Sequence, residues 1–233
     1  AEEIGAWGSK HTVQAMSQRG DVIRAVLVLD IVGNAGGPPG EGAIRVFSAP
    51  PENSPSRQLA RFVALQGEVY LEGFDVQVQP TVDREGRYSD HIPFSDAGVP
   101  SARLIEAIED ASRQHSALDL PERISPAYLR QATQLALASL LILADGPPTP
   151  MMPYFLPSEA YTVAWLPVED AVGYGLAFRR AGGLDVDTLI RVGNVTSLTW
   201  DELSGGQYTS VSVAAYDDEG LMSLLSPELL FAP

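Results

Sequence analysis

The chain has 233 residues with 15 basic and 30 acidic side chains, a net charge of −15 at neutral pH, and no cysteine. The negative charge argues against nucleic acids and anionic membranes as partners, because both are bound through basic patches. The lack of cysteine excludes disulfides and thiolate ligands, so any zinc must be held by histidine and carboxylate groups. No apolar run reaches the roughly 18 residues that predict membrane insertion.

Hydrophobic patterning predicts alternating helices and strands in the first part of the chain. A helix is expected at residues 11–18, and an apolar run at residues 25–29 predicts a strand that is buried on both faces and ends at Asp30. Ser125 and Pro126 are typical of a helix start. The other predicted elements are strands at 43–47, 75–80 and 98–105 and helices at 54–65 and 126–144.

A Pro-rich stretch at residues 146–153 predicts a domain boundary, which divides the chain into residues 1–146 and 147–233. Alternating polar and apolar residues after the boundary predict an all-β sandwich. Its strands are expected at residues 161–165, 173–179 and 208–216.

Four segments of the first domain carry groups that can bind a metal ion. They are Glu2-Glu3 before Gly5 and Gly8-Ser9, Asp30 before Gly33, Ser89-Asp90-His91 with Phe94 before Gly98-Val99-Pro100, and His115 four residues before Asp119. These motifs, in this order, resemble the zinc aminopeptidases of peptidase family M28. The resemblance spans about residues 1–145. It implies an α/β fold, a phosphorylase/hydrolase-like sheet with helices, and a zinc-dependent exopeptidase with a peptide substrate.

The resemblance also implies a role for each motif residue. Glu2 is expected to be the general base that accepts a proton from a metal-activated water. Glu3 and His115 are expected to bind one of two zinc ions, and Asp30 the other. From the sequence alone, Glu2 and Glu3 could equally be two solvated surface glutamates. Asp30 could equally be a capped loop residue.

The segment from Tyr88 to His91 is expected to line the substrate pocket without binding the metal. Its members are Tyr88, Ser89, Asp90 and His91. The family often places an oxyanion-stabilising tyrosine near the last histidine, whereas Gln114 precedes His115 here. Tyr88 or a backbone group would have to take that role, unless the role is missing.

The family site also needs an H-x-D segment and a bridging aspartate upstream of the Glu-Glu pair. This sequence begins at that pair. It is therefore expected to be the C-terminal part of the enzyme, inactive by itself and poorly folded in its first domain.

The second domain resembles a fibronectin type III domain. The features that carry the resemblance are the Trp165 strand, the segment 170–174, the corner from Leu203 to Tyr208, and the segment 214–217. It implies a module without chemistry that contacts the peptidase domain or a surface polymer. An appended module of this kind predicts a secreted, cell-surface or periplasmic protein.

Two other functions fit the same fold. One is a non-catalytic binding protein, which would usually have lost ligands. The other is an enzyme with a single zinc, such as a glutaminyl cyclase, against which the Glu2-Glu3 pair argues.

Overall fold

The computed structural model describes residues 2–34, 36–37, 42–157 and 161–231. Contacts divide the chain into two compact units, Ala1–Ser139 and Leu140–Pro233, called unit 1 and unit 2 below. The division falls within the last long helix, Pro126–Asp145, a few residues before the predicted boundary. The assignment of two domains at residue 146 stays a prediction.

Unit 1 combines helices with a mixed sheet of four strands, β1 (Val26–Leu29), β2 (Ala43–Ser48), β3 (Asp75–Val78) and β4 (Ser101–Glu106). Their order in the sheet is β1-β4-β2-β3. Strands β1 and β4 run parallel, β2 and β3 run parallel, and β2 is antiparallel to β4. The α/β class expected from the sequence is therefore confirmed for this unit. Its helices are α1 (Trp7–Arg19), α2 (Pro55–Tyr70), α3 (His91–Asp96) and α4 (Pro126–Asp145), the last of which continues past Ser139.

Local sequence explains why α2 forms where it does. The hydroxyl oxygen of Ser54 accepts the N–H of Arg57 at 3.1 Å, and proline occupies the first turn. Leu59, Phe62 and Val63 are fully buried in unit 1. The helix runs to Tyr70, beyond the predicted end at residue 65, and its buried face continues to Gly67, which lies against Val76.

Strand β1 corrects one sequence expectation. It was predicted to be buried on both faces, but it lies at the edge of the sheet, and three of its residues are only partly buried while Leu29 is 41% exposed. Among the described residues it pairs with β4 alone. An edge strand lacks a neighbour on one side, so an apolar sequence by itself does not secure burial.

Unit 2 contains two antiparallel sheets, built from β5 (Tyr154–Phe155), β6 (Thr162–Ala164), β7 (Gly173–Arg180), β8 (Thr188–Gly193), β9 (Ser197–Thr199), β10 (Tyr208–Tyr216) and β11 (Leu229–Leu230). One sheet has the order β11-β10-β7-β8 and the other the order β5-β6-β9. Its core draws on both sheets, with Val163 and Trp165 on one side and Leu176 and Val213 on the other. The predicted strands are found as β6, β7 and β10.

Helix α4 is the one helix of the described residues that is long and apolar enough to cross a membrane, by length and composition alone. It has 20 residues, and the mean hydropathy of its most apolar stretch is 1.2. A buried core helix passes the same test, and Tyr128, Ala132 and Leu135 are buried on one face of α4. The expectation of no membrane insertion stays a prediction.

Candidate active site

The Glu-Glu pair lies in a turn immediately before α1. The carbonyl oxygen of Glu2 accepts the N–H groups of Gly5 at 3.0 Å and Ala6 at 2.9 Å. Gly5 and Ala6 have positive φ angles of 99° and 55°. Glycine adopts this left-handed conformation without steric cost, which explains its place in the motif. The turn thus fixes the segment that carries Glu2 and Glu3.

Asp30 follows β1 directly, at the same sheet edge as the end of the parallel strand β4. Its N–H donates to the carbonyl of Leu104 at 3.1 Å, which extends the ladder by one residue. The chain then turns at Ile31, where φ is 55°. The side chain of Asp30 is 36% exposed, and its Oδ2 accepts a hydrogen bond from Arg103 Nη2 at 2.6 Å. In open α/β sheets this carboxyl edge is where ligands bind.

His115 lies in the connection between β4 and α4. Its φ of 58° is left-handed, which is uncommon for a residue other than glycine and is often found at functional sites. The ring is exposed, and Nε2 lies 3.4 Å from Glu3 Oε1. The histidine and the glutamate therefore converge although they are far apart in sequence.

One cavity of about 400 Å³ collects these groups. Its wall contains the expected base Glu2, the expected ligands Glu3, Asp30 and His115, and Tyr88. The remaining lining residues are Gly5, Ile31, Arg84, Gly86, Arg87, Gln114 and Asp119.

The rest of the Tyr88–His91 segment lies elsewhere. Ser89 and His91 are 1% and 0% exposed and do not line the cavity, so the structure does not place them where a substrate pocket was expected. His91 Nε2 bonds to the carbonyl of Val82 at 2.7 Å. Asp90 Oδ1 accepts the hydroxyl of Ser9 at 2.7 Å, which joins the first and third motifs. The segment begins the short helix α3, whose early proline is compatible with a first helical turn.

Comparison with known proteins identifies the family. The profile of peptidase family M28 matches residues 1–140, more than half of the chain. The chain belongs to peptidase family M28. This confirms the resemblance seen in the four motifs.

The relatives of this M28 chain are longer proteins. A probable zinc metalloprotease of Leptosphaeria maculans is 28% identical over 179 residues, covering 64% of this chain and 42% of the relative. A probable zinc metalloprotease of Pyricularia oryzae is 31% identical over 180 residues, covering 63% and 36%. The chain thus spans about two fifths of the length of these curated relatives. Among solved structures, the Legionella pneumophila aminopeptidase LapA matches with a TM-score of 0.50 at 23% identity, over 60% of this chain and 37% of that one, which shows a shared fold.

Electrostatics distinguish Glu2 from an ordinary surface glutamate. Burial raises the pKa of Glu2 above its usual value, and the neighbouring carboxylates of Asp30, Glu3 and Asp90 raise it further, while Arg103 lowers it. A carboxylate with a raised pKa is a better proton acceptor, which suits a general base. Burial likewise lowers the pKa of His91, which favours its neutral form.

The donors fit zinc in chemical kind and fall short in number. Carboxylate oxygen and imidazole nitrogen are suitable zinc ligands. Within residues 2–34, 36–37, 42–157 and 161–231, no group of three or more His, Asp or Glu residues is arranged so that it could hold a metal ion. Glu3 and His115 approach each other as a pair, whereas Asp30 is held by Arg103. The metal-ligand assignments stay predictions.

Sequence reasoning missed the cationic part of the site. Arg84 and Arg87 line the cavity, and Arg84 is ion-paired with Glu109. Arg103 is fully buried between Asp30 and Asp83. Its signal was in the sequence, because an arginine within the apolar strand 101–106 requires a buried acidic partner.

Proposed function

We propose that this chain is the C-terminal part of a zinc-dependent aminopeptidase that hydrolyses N-terminal peptide bonds. One observation carries the proposal: Glu2, Glu3, Asp30 and His115 come from three separate parts of unit 1 and line a single cavity. The names of the fungal relatives, probable zinc metalloproteases, support the same chemistry.

In this proposal Glu3 and His115 would hold one zinc ion and Asp30 would hold a second. Zinc bound there would polarise the substrate carbonyl and lower the pKa of water. A carboxylate oxygen of Glu2 accepts the proton of the attacking water and returns it to the leaving amine. The acidic surroundings of Glu2 assist the first step, because a raised pKa favours uptake of the proton.

We further propose that the remaining donors, a histidine and a bridging aspartate, are encoded upstream of Ala1. The pair Glu3–His115 and the lone Asp30 would each need such a donor to complete an ion site. The 233-residue chain should then be inactive by itself. Reading the coding frame upstream of Ala1 checks this first: an H-x-D segment and a further aspartate are expected, and a genuine start codon there would contradict it.

The catalytic role of Glu2 can be tested in the protein of full encoded length. Glu2→Gln should lower kcat on aminoacyl anilides by about 10²- to 10⁴-fold with unchanged zinc content, because the base is lost and the proposed ligands remain. The matched control is Glu72→Gln, at an exposed position of unit 1, which should leave kcat unchanged. Full activity of Glu2→Gln would refute the assignment.

A non-catalytic binding protein is the second candidate. Within the described ranges 2–34, 36–37, 42–157 and 161–231, no three or more His, Asp or Glu residues are arranged to hold a metal ion, which favours it. Elemental analysis of the purified full-length protein separates the two: zinc supports the peptidase, and its absence after exposure to zinc supports the binding protein. The glutaminyl cyclase alternative has no observation in its favour.

We also propose that unit 2 is a fibronectin type III-like module of an exported protein. Support comes from its two antiparallel sheets and from the buried Trp165, whose ring lies 5.5 Å from that of Tyr174. Such a module would bind a surface polymer or the peptidase domain. Co-sedimentation with insoluble polysaccharide and fractionation of cells from medium test these ideas. A cytoplasmic protein that binds no polymer would contradict them.

A further inference from the structure

A fully buried arginine holds the carboxylate of Asp30. Arg103 lies in the middle of β4, where its Cα is opposite Val28 of β1 on one side and Phe47 of β2 on the other. Its side chain is 0% exposed. Burying a guanidinium costs free energy unless charged partners and hydrogen bonds compensate for the lost water. A charge at this position in the sheet therefore requires a compensating structure.

Two aspartates supply that compensation through different nitrogens. Nη1 donates to Asp83 Oδ1 at 2.7 Å, and Nη2 donates to Asp30 Oδ2 at 2.6 Å. The side chain of Asp83 is 1% exposed, whereas that of Asp30 is 36% exposed and lines the cavity. The planar guanidinium fixes the directions of both bonds at once. Arg103 thus links the carboxylate of Asp30, which lines the cavity, to the buried carboxylate of Asp83.

The acidic surroundings of Asp30 give the ion pair with Arg103 a role in holding this carboxylate in place. Glu2, Glu3 and Asp119 line the same cavity as Asp30. Like charges at short range repel each other, and the guanidinium of Arg103 offsets that repulsion for Asp30. Because Oδ2 is engaged, the carboxylate is oriented about that bond, and Oδ1 is the oxygen it would present to a ligand in the cavity.

We propose that Arg103 is a positioning residue that holds Asp30 in the orientation needed to bind a metal ion, with Asp83 as its buried anchor. The inference rests on the proposed function, in which Asp30 is a metal ligand. Arg103 acts only through Asp30. A lysine would keep the charge but offers a single nitrogen, so it could not reproduce the two-sided fork.

Cobalt binding to the protein of full encoded length tests the proposal without relying on activity. Partners that orient metal ligands typically contribute 10- to 100-fold to metal affinity. Arg103→Lys should therefore weaken Co²⁺ binding at the metal site that contains Asp30 by about that factor. It should also alter the visible absorption of the bound Co²⁺. Asp83→Asn, which frees the anchor, should shift the same spectrum. Near-UV circular dichroism checks that each variant is folded.

The matched control is Arg61→Lys. Arg61 is also buried in unit 1, 1% exposed, and its Nη2 pairs with Glu52 Oε2 at 3.0 Å, but neither residue lines the cavity. This variant should keep the Co²⁺ affinity and spectrum of the parent. A loss of metal binding equal to that of Arg103→Lys would point to general destabilisation and overturn the proposal.

The outcomes also separate this inference from the proposed function. If Asp30→Asn loses one Co²⁺ while folded Arg103→Lys and Asp83→Asn keep both, Asp30 is a ligand and Arg103 does not position it. If the parent and Asp30→Asn bind Co²⁺ identically, the ligand assignment fails and the inference fails with it. If Arg103→Lys does not fold, the Co²⁺ spectrum of Asp83→Asn tests the proposal instead. A shifted spectrum supports it, and an unchanged spectrum refutes it.

Discussion

The two units differ in what they bury. Unit 1 places charged side chains in its interior, among them Arg57, Arg61 and Arg103, each no more than 1% exposed. Unit 2 is built around an aromatic and aliphatic cluster that includes Trp165 and Phe178. Its buried ion pair, Arg179 with Glu228, lies outside that cluster.

The difference reflects what each unit has to provide. Buried ion pairs contribute little net stability compared with well-packed apolar groups, because desolvation offsets their attraction. Unit 1 nevertheless buries Arg103 against Asp30, which lines the candidate site. The aromatic and aliphatic cluster of unit 2 is suited to packing, and no residue of that cluster is proposed for the site. The three substitutions below test this contrast in the full chain, with hydrogen exchange reporting on each unit separately.

The largest effect is expected from Trp165→Ala. The indole is 1% exposed within the unit 2 core, and removing a buried tryptophan leaves a cavity that typically costs about 3–5 kcal/mol of unfolding free energy. Urea titration should show lost amide protection in unit 2 and unchanged protection in unit 1. Trp7→Ala is the control, because that ring is 68% exposed. Equal losses of amide protection in both units would show that they unfold together and would contradict the contrast between them.

Glu106→Gln should change how the stability of unit 1 depends on pH. Burial raises the pKa of Glu106 from 4.5 to about 7. The folded state then holds this proton more tightly than the unfolded state, so the contribution is fully present below pH 4.5 and is lost as pH rises to about 7. The whole shift corresponds to at most about 3 kcal/mol.

The glutamine variant stays neutral at every pH and can still accept the N–H of Asn34, which Glu106 accepts at 3.0 Å. It should flatten the pH dependence and be the more stable protein at pH 7. Urea midpoints of unit 1 between about pH 4.5 and 8 measure this, with Glu72→Gln as the exposed control. An identical slope in parent and variant would mean that the Glu106 carboxyl does not titrate in this window.

Gly67→Ala should have the smallest effect, and its sign is informative. Alanine favours a helix over glycine by about 1 kcal/mol. A Cβ at Gly67 would collide with Val76 Cγ2 and lie 3.7 Å from Leu135 Cδ1, and overpacking of this kind costs about 1–3 kcal/mol. We expect a net loss of about 1 kcal/mol in unit 1. Gly193→Ala, in unit 2 with open space around it, is the control. A stabilised Gly67→Ala would show that β3 yields to the added methyl.

Elements with strong local signals were predicted well. Helices α2 and α4 have serine and proline start signals and broad apolar faces, and the longer strands of unit 2 show regular alternation. Strand β8 and the short strands β5, β9 and β11 were not predicted. Strands of two or three residues exist because a neighbour pairs with them, and that information is not local.

The motifs by themselves selected the candidate residues of the site. Glu2, Glu3, Asp30 and His115 were selected from their spacing and family resemblance, and the cavity contains all four. The tertiary structure alone decided the direction of the neighbouring groups. Tyr88 faces the cavity while Ser89 and His91 are buried, and Arg103 reaches Asp30 from another strand. Adjacency in sequence does not fix side-chain direction, because direction follows from where a helix begins and how strands pair.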